Sequence, residues 1–189
     1  MKCPWSQNHP LLERYHDLEW GTPVHDDRKH FEFFVMDLFQ AGLSWLTILK
    51  KREGFCEAFE SYDIQRIARF DEENVSRLLA NERIIRNRLK INATIHNAGK
   101  FLEVINEYGS FDNYIWQFTG SKILHNAYTD QNDLPPRTEL SDRISTDLKK
   151  RGFKFVGSTI IYAYMQAAGL VNDHVVSCFR YKELTGEGT

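Results

Sequence analysis

Along 189 residues the apolar side chains recur at helical spacing and nowhere with the sustained two-residue alternation of strands. That pattern narrows the fold more than any other feature of the chain. In "RKHFEFFVMDLFQ", Phe31, Phe34, Val35, Leu38 and Phe39 fall at i, i+3, i+4, i+7 and i+8. In "NATIHNAGKFLEVINEYG", Ile95, Ala98, Phe101, Leu102 and Ile105 continue the stripe until Gly109 stops it. Further helices are expected at 44–52 from a cap at Ser44, at 62–69, at 71–80 from Asp71, at 111–118, at 141–151 from Ser141, and at 158–168. A last helix is expected to carry "NDHVVSCFRY", 172–181. The fold class is therefore all-α. One long stretch, "TGSKILHNAYTDQNDLPPRTEL", is polar and broken by Pro135 and Pro136, and loops of this length in small domains tend to be functional or mobile.

With 42% hydrophobic residues, the chain suits one compact unit, expected to comprise two lobes: one centred on about 40–120, the other built from 1–30 and 140–189. "MKCPWSQNHP" has no apolar core of a signal peptide, and "STIIYAYMQAAGLV" is short and interrupted by Gln166 and Gly169. The expectation is a cytoplasmic protein without a membrane span. Three cysteines, an odd number, argue against a disulfide framework and leave thiols free for a metal.

His174 and Cys178 stand four residues apart, a spacing that on a helix turns both toward one ion. Cys3 and His16, near the other end of the chain, are the candidate second pair, and together the four would form a Cys2His2 tetrahedron. The spacing equally allows two buried thiols and two histidines with ordinary partners. Cys56, between Phe55 and Phe59 in "GFCEAFE", reads as a small core residue.

The net charge of −2 excludes a general polycation, but positive charge gathers in "KKR" at 50–52, "RIIRNRLK" at 83–90 and "KKRGFKF" at 149–155. Between 71–80 and the helix that follows, "LLANERIIRNRLKI" makes an abrupt turn, a helical hairpin able to offer backbone N–H groups and basic side chains to a phosphate.

Taken together, "YHDLEWGTP" (15–23), "QAGLSWLTILKKRE" (40–53), "IIRNRLKI" (84–91), "KKRGFKFVGSTI" (149–160) and "MQAAGLVNDHVVSC" (165–178) resemble the 3-methyladenine DNA glycosylase I family over nearly the whole chain and in the same order. The resemblance implies a helix-hairpin-helix DNA-repair enzyme that hydrolyses the N-glycosidic bond of 3-methyladenine in double-stranded alkylated DNA and releases the free base; a monomer is expected, although the sequence itself does not disclose oligomeric state. It implies one structural Zn2+ held by Cys3, His16, His174 and Cys178. A flipped base needs aromatic walls, so Trp45 and Tyr15 are expected in the catalytic pocket, with Trp5 beside them, while Trp20 reads as core. Leu43, next to Gly42, is the candidate wedge for the gap in the duplex. Arg86, Arg88, Lys90, Lys149, Lys150, Arg151 and Lys154 are the expected phosphate contacts.

Two positions depart from the family pattern. A glutamate of the family precedes "QAGLSW" and reads the methylated base; here Asp37 stands in its place, shorter by about 1.5 Å, one C–C bond. Either Asp37 performs the same selection, or the chain is a DNA-binding relative with altered or lost activity. Arg83 occupies the hairpin turn where glycine is usual, which would strain the backbone if that turn requires a positive φ.

Overall fold

The computed structural model describes residues 1–186, so the last three residues of the expected 140–189 lobe lie outside the described part. Ten α-helices follow one another: α1 Pro10–Leu18, α2 Asp27–Gln40, α3 Trp45–Ala58, α4 Ile64–Ile67, α5 Glu72–Ala80, α6 Arg88–Tyr108, α7 Phe111–Trp116, α8 Glu139–Lys150, α9 Ser158–Ala167 and α10 Phe179–Thr185. The only strands among the described residues are two-residue pieces. They are β1 Leu124–His125 and β2 Val171–Asn172, paired in parallel, so the all-α expectation holds.

Local chemistry starts most of these helices. Asp26, Ser44, Asn87 and Ser110 each accept a backbone N–H two or three positions into the helix that follows, satisfying donors that the helix itself leaves free. Asp71 and Asn74 close a reciprocal capping box on α5. The start of α8 corrects the expectation. Thr138 is its cap and Ser141 is the third helical residue, its hydroxyl oxygen accepting the Thr138 backbone N–H in return, so the helix begins a turn earlier than Ser141 suggested. At the other end of α6, Gly109 sits at φ 82°, the left-handed conformation that closes a helix without a Cβ clash.

The centre of the molecule is α2. All its residues from His30 to Phe39 except Glu32 are buried, which is the signature of a helix surrounded by others. Phe34 meets Phe101, Phe111, Phe153 and Tyr164, and Phe39 meets Phe55 and Phe59, so one aromatic core joins α2 to α3, α6, α7 and α9. On α6 the fully buried line runs through Ile91, Thr94, Ala98, Phe101 and Val104. Ile95, Leu102 and Ile105 are only partly buried, so the inward stripe is rotated from the expected one. At the C-terminal end of α1, the Arg52 guanidinium grips the Glu19 carboxylate through both terminal nitrogens, at 2.7 Å each, and reaches Glu32 through Nε at 2.7 Å. This fixes α1, and Tyr15 with it, against α2 and α3.

The turn between α5 and α6 packs on α3 without side-chain space between them. A Cβ on Gly54 would lie 2.4 Å from the carbonyl oxygen of Arg83. Arg83 itself does not have a positive φ, so arginine in this turn brings no left-handed strain. Elsewhere in a helix, glycine to alanine stabilises by about 1 kcal/mol. Gly54→Ala is expected to reverse that sign and lower stability by roughly 1–3 kcal/mol, because backbone must move to admit one methyl group. A denaturant titration comparing the two proteins measures it.

Candidate active site

A cavity of about 240 Å³ opens between the N-terminal segment, α2, α3, α9 and the long irregular segment, lined by Trp5, Tyr15, Trp20, Asp37, Gln40, Trp45, Leu134, Ala163 and Gln166. Its walls are aromatic by construction. Trp45 begins α3 and its ring centre lies 5.1 Å from that of Tyr15 on α1; Trp5, on a short 3-10 turn after Cys3, packs edge-on to Trp20 at 5.0 Å. The backbone N–H of Trp5 donates to Gln131 Oε1 at 3.0 Å, which ties this wall to the irregular segment that also supplies Leu134.

At the floor is a carboxyl group without a counter-charge. Asp37 is 3% exposed, and its Oδ2 is buried with no hydrogen-bond partner. Burial in this apolar setting pushes its pKa well above the usual carboxylate range. The Trp45 indole N–H is likewise buried and unpartnered. Buried polar groups are nearly always satisfied, so an acceptor and a donor left free in one aromatic cavity mark a place for a polar, flat ligand.

Behind the Trp5–Trp20 wall lies a second constellation. The ligand atoms of Cys3, His16, His174 and Cys178 all lie within 4.8 Å of one another, and all four residues are buried. Measured edges are 3.2 Å for His174 Nδ1 to His16 Nε2, 3.6 Å for Cys3 Sγ to His174 Nδ1, and 3.5 and 3.7 Å from Cys178 Sγ to the two imidazoles. A tetrahedral ion with N and S ligands at about 2.0–2.3 Å requires edges of about 3.3–3.8 Å, so the donor set fits a metal. The other ring nitrogens are held as metal-bound histidines usually are: His16 Nδ1 by Asp17 at 2.8 Å and His174 Nε2 by the Trp20 carbonyl at 2.9 Å. The neighbouring Cys3 thiol and both imidazoles draw the Cys178 pKa down, while Cys178 and burial push Cys3 up. One geometric expectation is corrected. His174 and Cys178 do not share a helix: the chain leaves β2, turns with Cys178 N–H on the Val175 carbonyl at 2.7 Å, and Cys178 only caps α10. A compact turn, rather than helical periodicity, brings the pair together.

A family model described as methyladenine glycosylase matches residues 5–181. The chain belongs to the methyladenine glycosylase family. Among its relatives, the DNA-3-methyladenine glycosylase 1 of Escherichia coli (strain K12) is 45% identical over 180 residues, covering 95% of this chain and 96% of the relative. The DNA-3-methyladenine glycosylase of Haemophilus influenzae is 41% identical over 177 residues, covering 94% and 96%. A crystal structure of 3-methyladenine DNA glycosylase I superposes with a TM-score of 0.90 at 46% identity, covering 95% of this chain and 98% of the other. The Staphylococcus aureus 3-methyladenine DNA glycosylase I structure, which describes 3-methyladenine recognition, does so with 0.90 at 32% identity and 94% coverage of both chains.

Within this methyladenine glycosylase frame, the four expected pocket residues, Asp37, Trp45, Tyr15 and Trp5, come together in one cavity, and the four expected metal ligands in one cluster. Sequence reasoning missed Gln40, Leu134, Ala163 and Gln166, and it assigned Trp20 to the core, where it is both buried and part of the wall. Gln166 carried a usable signal, a lone amide in an otherwise apolar helix. Leu134 carried none, because its place depends on how the irregular segment folds back.

The basic residues divide. Lys90 is corrected from a phosphate contact to a structural cation: it is 7% exposed, and its ammonium donates to the carbonyls of Phe39 at 2.8 Å and Ala41 at 2.6 Å, closing the C-terminal end of α2. This anchors the Gly42 turn, φ 81°, that leaves Leu43 40% exposed. Arg151 is held by Glu107 at 2.7 Å, Asp147 at 2.9 Å and the Tyr108 hydroxyl at 2.7 Å. Arg86 and Arg88 are exposed but face Glu82 and Glu72. Lys149, Lys150 and Lys154 are exposed and without an ion pair among the described residues. They flank the turn from α8 to α9, whose N-terminus has no side-chain cap.

Proposed function

We propose that this chain is a DNA glycosylase that hydrolyses the N-glycosidic bond of 3-methyladenine in alkylated double-stranded DNA and releases the free base. The observation that carries the reading is the buried, partnerless Asp37 carboxyl in an aromatic cavity. Such a group is unfavourable in the empty protein and becomes favourable when a cation arrives. N3-methylation gives adenine that charge.

Chemically, the base is already activated. As the bond from the sugar breaks, its electron pair passes to the base nitrogen, the base leaves neutral, and the sugar takes oxocarbenium character until water attacks. A carboxylate on the cationic base stabilises the ground state at least as well as the transition state, so Asp37 serves selection of the charged base more than rate. Trp45, Tyr15 and Trp5 replace the stacking that the flipped nucleotide loses, and Leu43 enters the duplex gap. Lys149, Lys150 and Lys154, with the uncapped N-terminus of α9, take backbone phosphates, and Arg86 and Arg88 assist from the hairpin between α5 and α6. The four-residue clasp holds one Zn2+, which supplies structural stability and stays outside the chemistry. The same proposal has the protein act as a cytoplasmic monomer, with a lobe around 40–120 and a terminal clasp lobe meeting at the pocket.

Purified protein incubated with methylated DNA is expected to release 3-methyladenine, quantified by chromatography. The second reading, a DNA-binding relative with lost activity, rests on the shorter Asp37 side chain. It would prevail if the wild type released nothing while Asp37→Glu released the base.

A further inference from the structure

Gln166 lines the cavity from α9, and one half of its carboxamide is already committed. Its Nε2 donates to Asp173 Oδ2 at 2.8 Å. Asp173 is 2% exposed and also accepts from the Tyr162 hydroxyl at 2.5 Å and from Asn126 Nδ2 at 2.6 Å. A carboxylate can only accept, so the amide cannot turn over without setting Oε1 against a carboxylate oxygen. The orientation is thereby chosen by chemistry. Oε1, for which the described residues provide no donor, is the polar atom Gln166 has left to offer the cavity.

From this we infer that Gln166 is a specificity-determining residue: Asp173 fixes its amide so that the pocket presents an acceptor to the flipped base, which selects an exocyclic amino group over an exocyclic carbonyl. The inference rests on the glycosylase reading and divides the task of recognition. Asp37 responds to positive charge, which N3-methylated adenine and N3-methylated guanine share in DNA. Gln166 separates them, because adenine brings an N–H to Oε1 where guanine would bring a second acceptor. A site built around a hydrogen bond rejects an analogue that cannot make it, since desolvated polar groups are then left unpaired.

Titration of the intact, metal-loaded protein with free 3-methyladenine and free 3-methylguanine, followed by the fluorescence of the pocket tryptophans, tests it. The wild type is expected to prefer 3-methyladenine. Gln166→Ala should weaken 3-methyladenine roughly tenfold, the equivalent of one hydrogen bond of about 1.4 kcal/mol, without weakening 3-methylguanine. Asp173→Asn keeps the shape but can donate, which lets the Gln166 amide turn; it should narrow the preference in protein whose thermal midpoint shows that it is folded. Unchanged 3-methyladenine affinity in Gln166→Ala, or an equal fall for both bases, overturns the inference while leaving the glycosylase reading intact. A wild type that binds neither base also overturns the inference, whereas the glycosylase reading falls only if methylated DNA yields no free 3-methyladenine.

Discussion

Stripping the metal with a strong chelator is expected to lower the thermal midpoint by at least roughly 10–20 °C and to abolish base binding. The four candidate ligands come from opposite ends of the chain, Cys3 and His16 from the first 16 residues and His174 and Cys178 from the last 16, so an ion held by them would close a loop of nearly the whole protein. Structural zinc contributes about 10–16 kcal/mol in small peptides. Even about 5 kcal/mol of it, at about 2–4 °C per kcal/mol for a chain of this size, gives the stated range. Base binding should fail for a local reason as well. Trp5 lies two residues after Cys3 and packs on His16 at 5.5 Å, and the Trp20 carbonyl holds His174, so the pocket wall is braced by the clasp itself. Elemental analysis should find about one zinc per chain, and Cys178→Ser should reproduce the chelator's effect in the absence of chelator. A chain that carries no zinc as purified, with a midpoint indifferent to chelator, would show the four residues to be an ordinary buried cluster.

How much of this was visible in the letters depends on whether the signal was local. Helical periodicity and caps are written within a few residues; the caps at Ser44 and Asp71 are where the sequence placed them, while the buried stripe on α6 is rotated about the helix axis from the expected face. Thr138 was missed because Ser141 offers the same hydroxyl one turn later, and the two in fact cooperate. Residue type and spacing offered the thiols and imidazoles of the clasp as candidates and the family resemblance named the set, yet the expected helix through His174 and Cys178 is a turn, since spacing by four is compatible with both. Lys90 shows the reverse failure. A lysine in a basic run looks like a phosphate ligand, and only the fold reveals that two carbonyls at the end of α2, some 50 residues earlier in the chain, already hold it. Gln166 and Leu134 reach the cavity through long-range packing that no neighbouring residue encodes.

Asp37→Asn is expected to make the protein more stable and less able to excise. The folded pKa of Asp37 is raised, so between the unfolded value, about 3.9, and the folded one the native state keeps a proton that the unfolded chain releases. Stability therefore falls as pH rises through that window, and above it the full penalty of a buried, partnerless charge is present. Asparagine has the same shape without the charge. At pH 8 it should be more stable than the wild type by about 1–3 kcal/mol, and the advantage should shrink toward pH 4, as calorimetry across that range would record. Excision of 3-methyladenine at limiting DNA should fall about 10–100-fold, mainly through weaker capture of the cationic base, since its lost partner is a charge-assisted hydrogen bond. The wild type binds such a base by giving up the Asp37 proton, so its affinity for the charged form should tighten with rising pH, a trend absent from Asp37→Asn. Equal stability at pH 8 together with equal excision would remove Asp37 from the site. The opposed signs are the content of the prediction: an orphaned carboxyl that weakens the empty fold is retained because the ligand completes it.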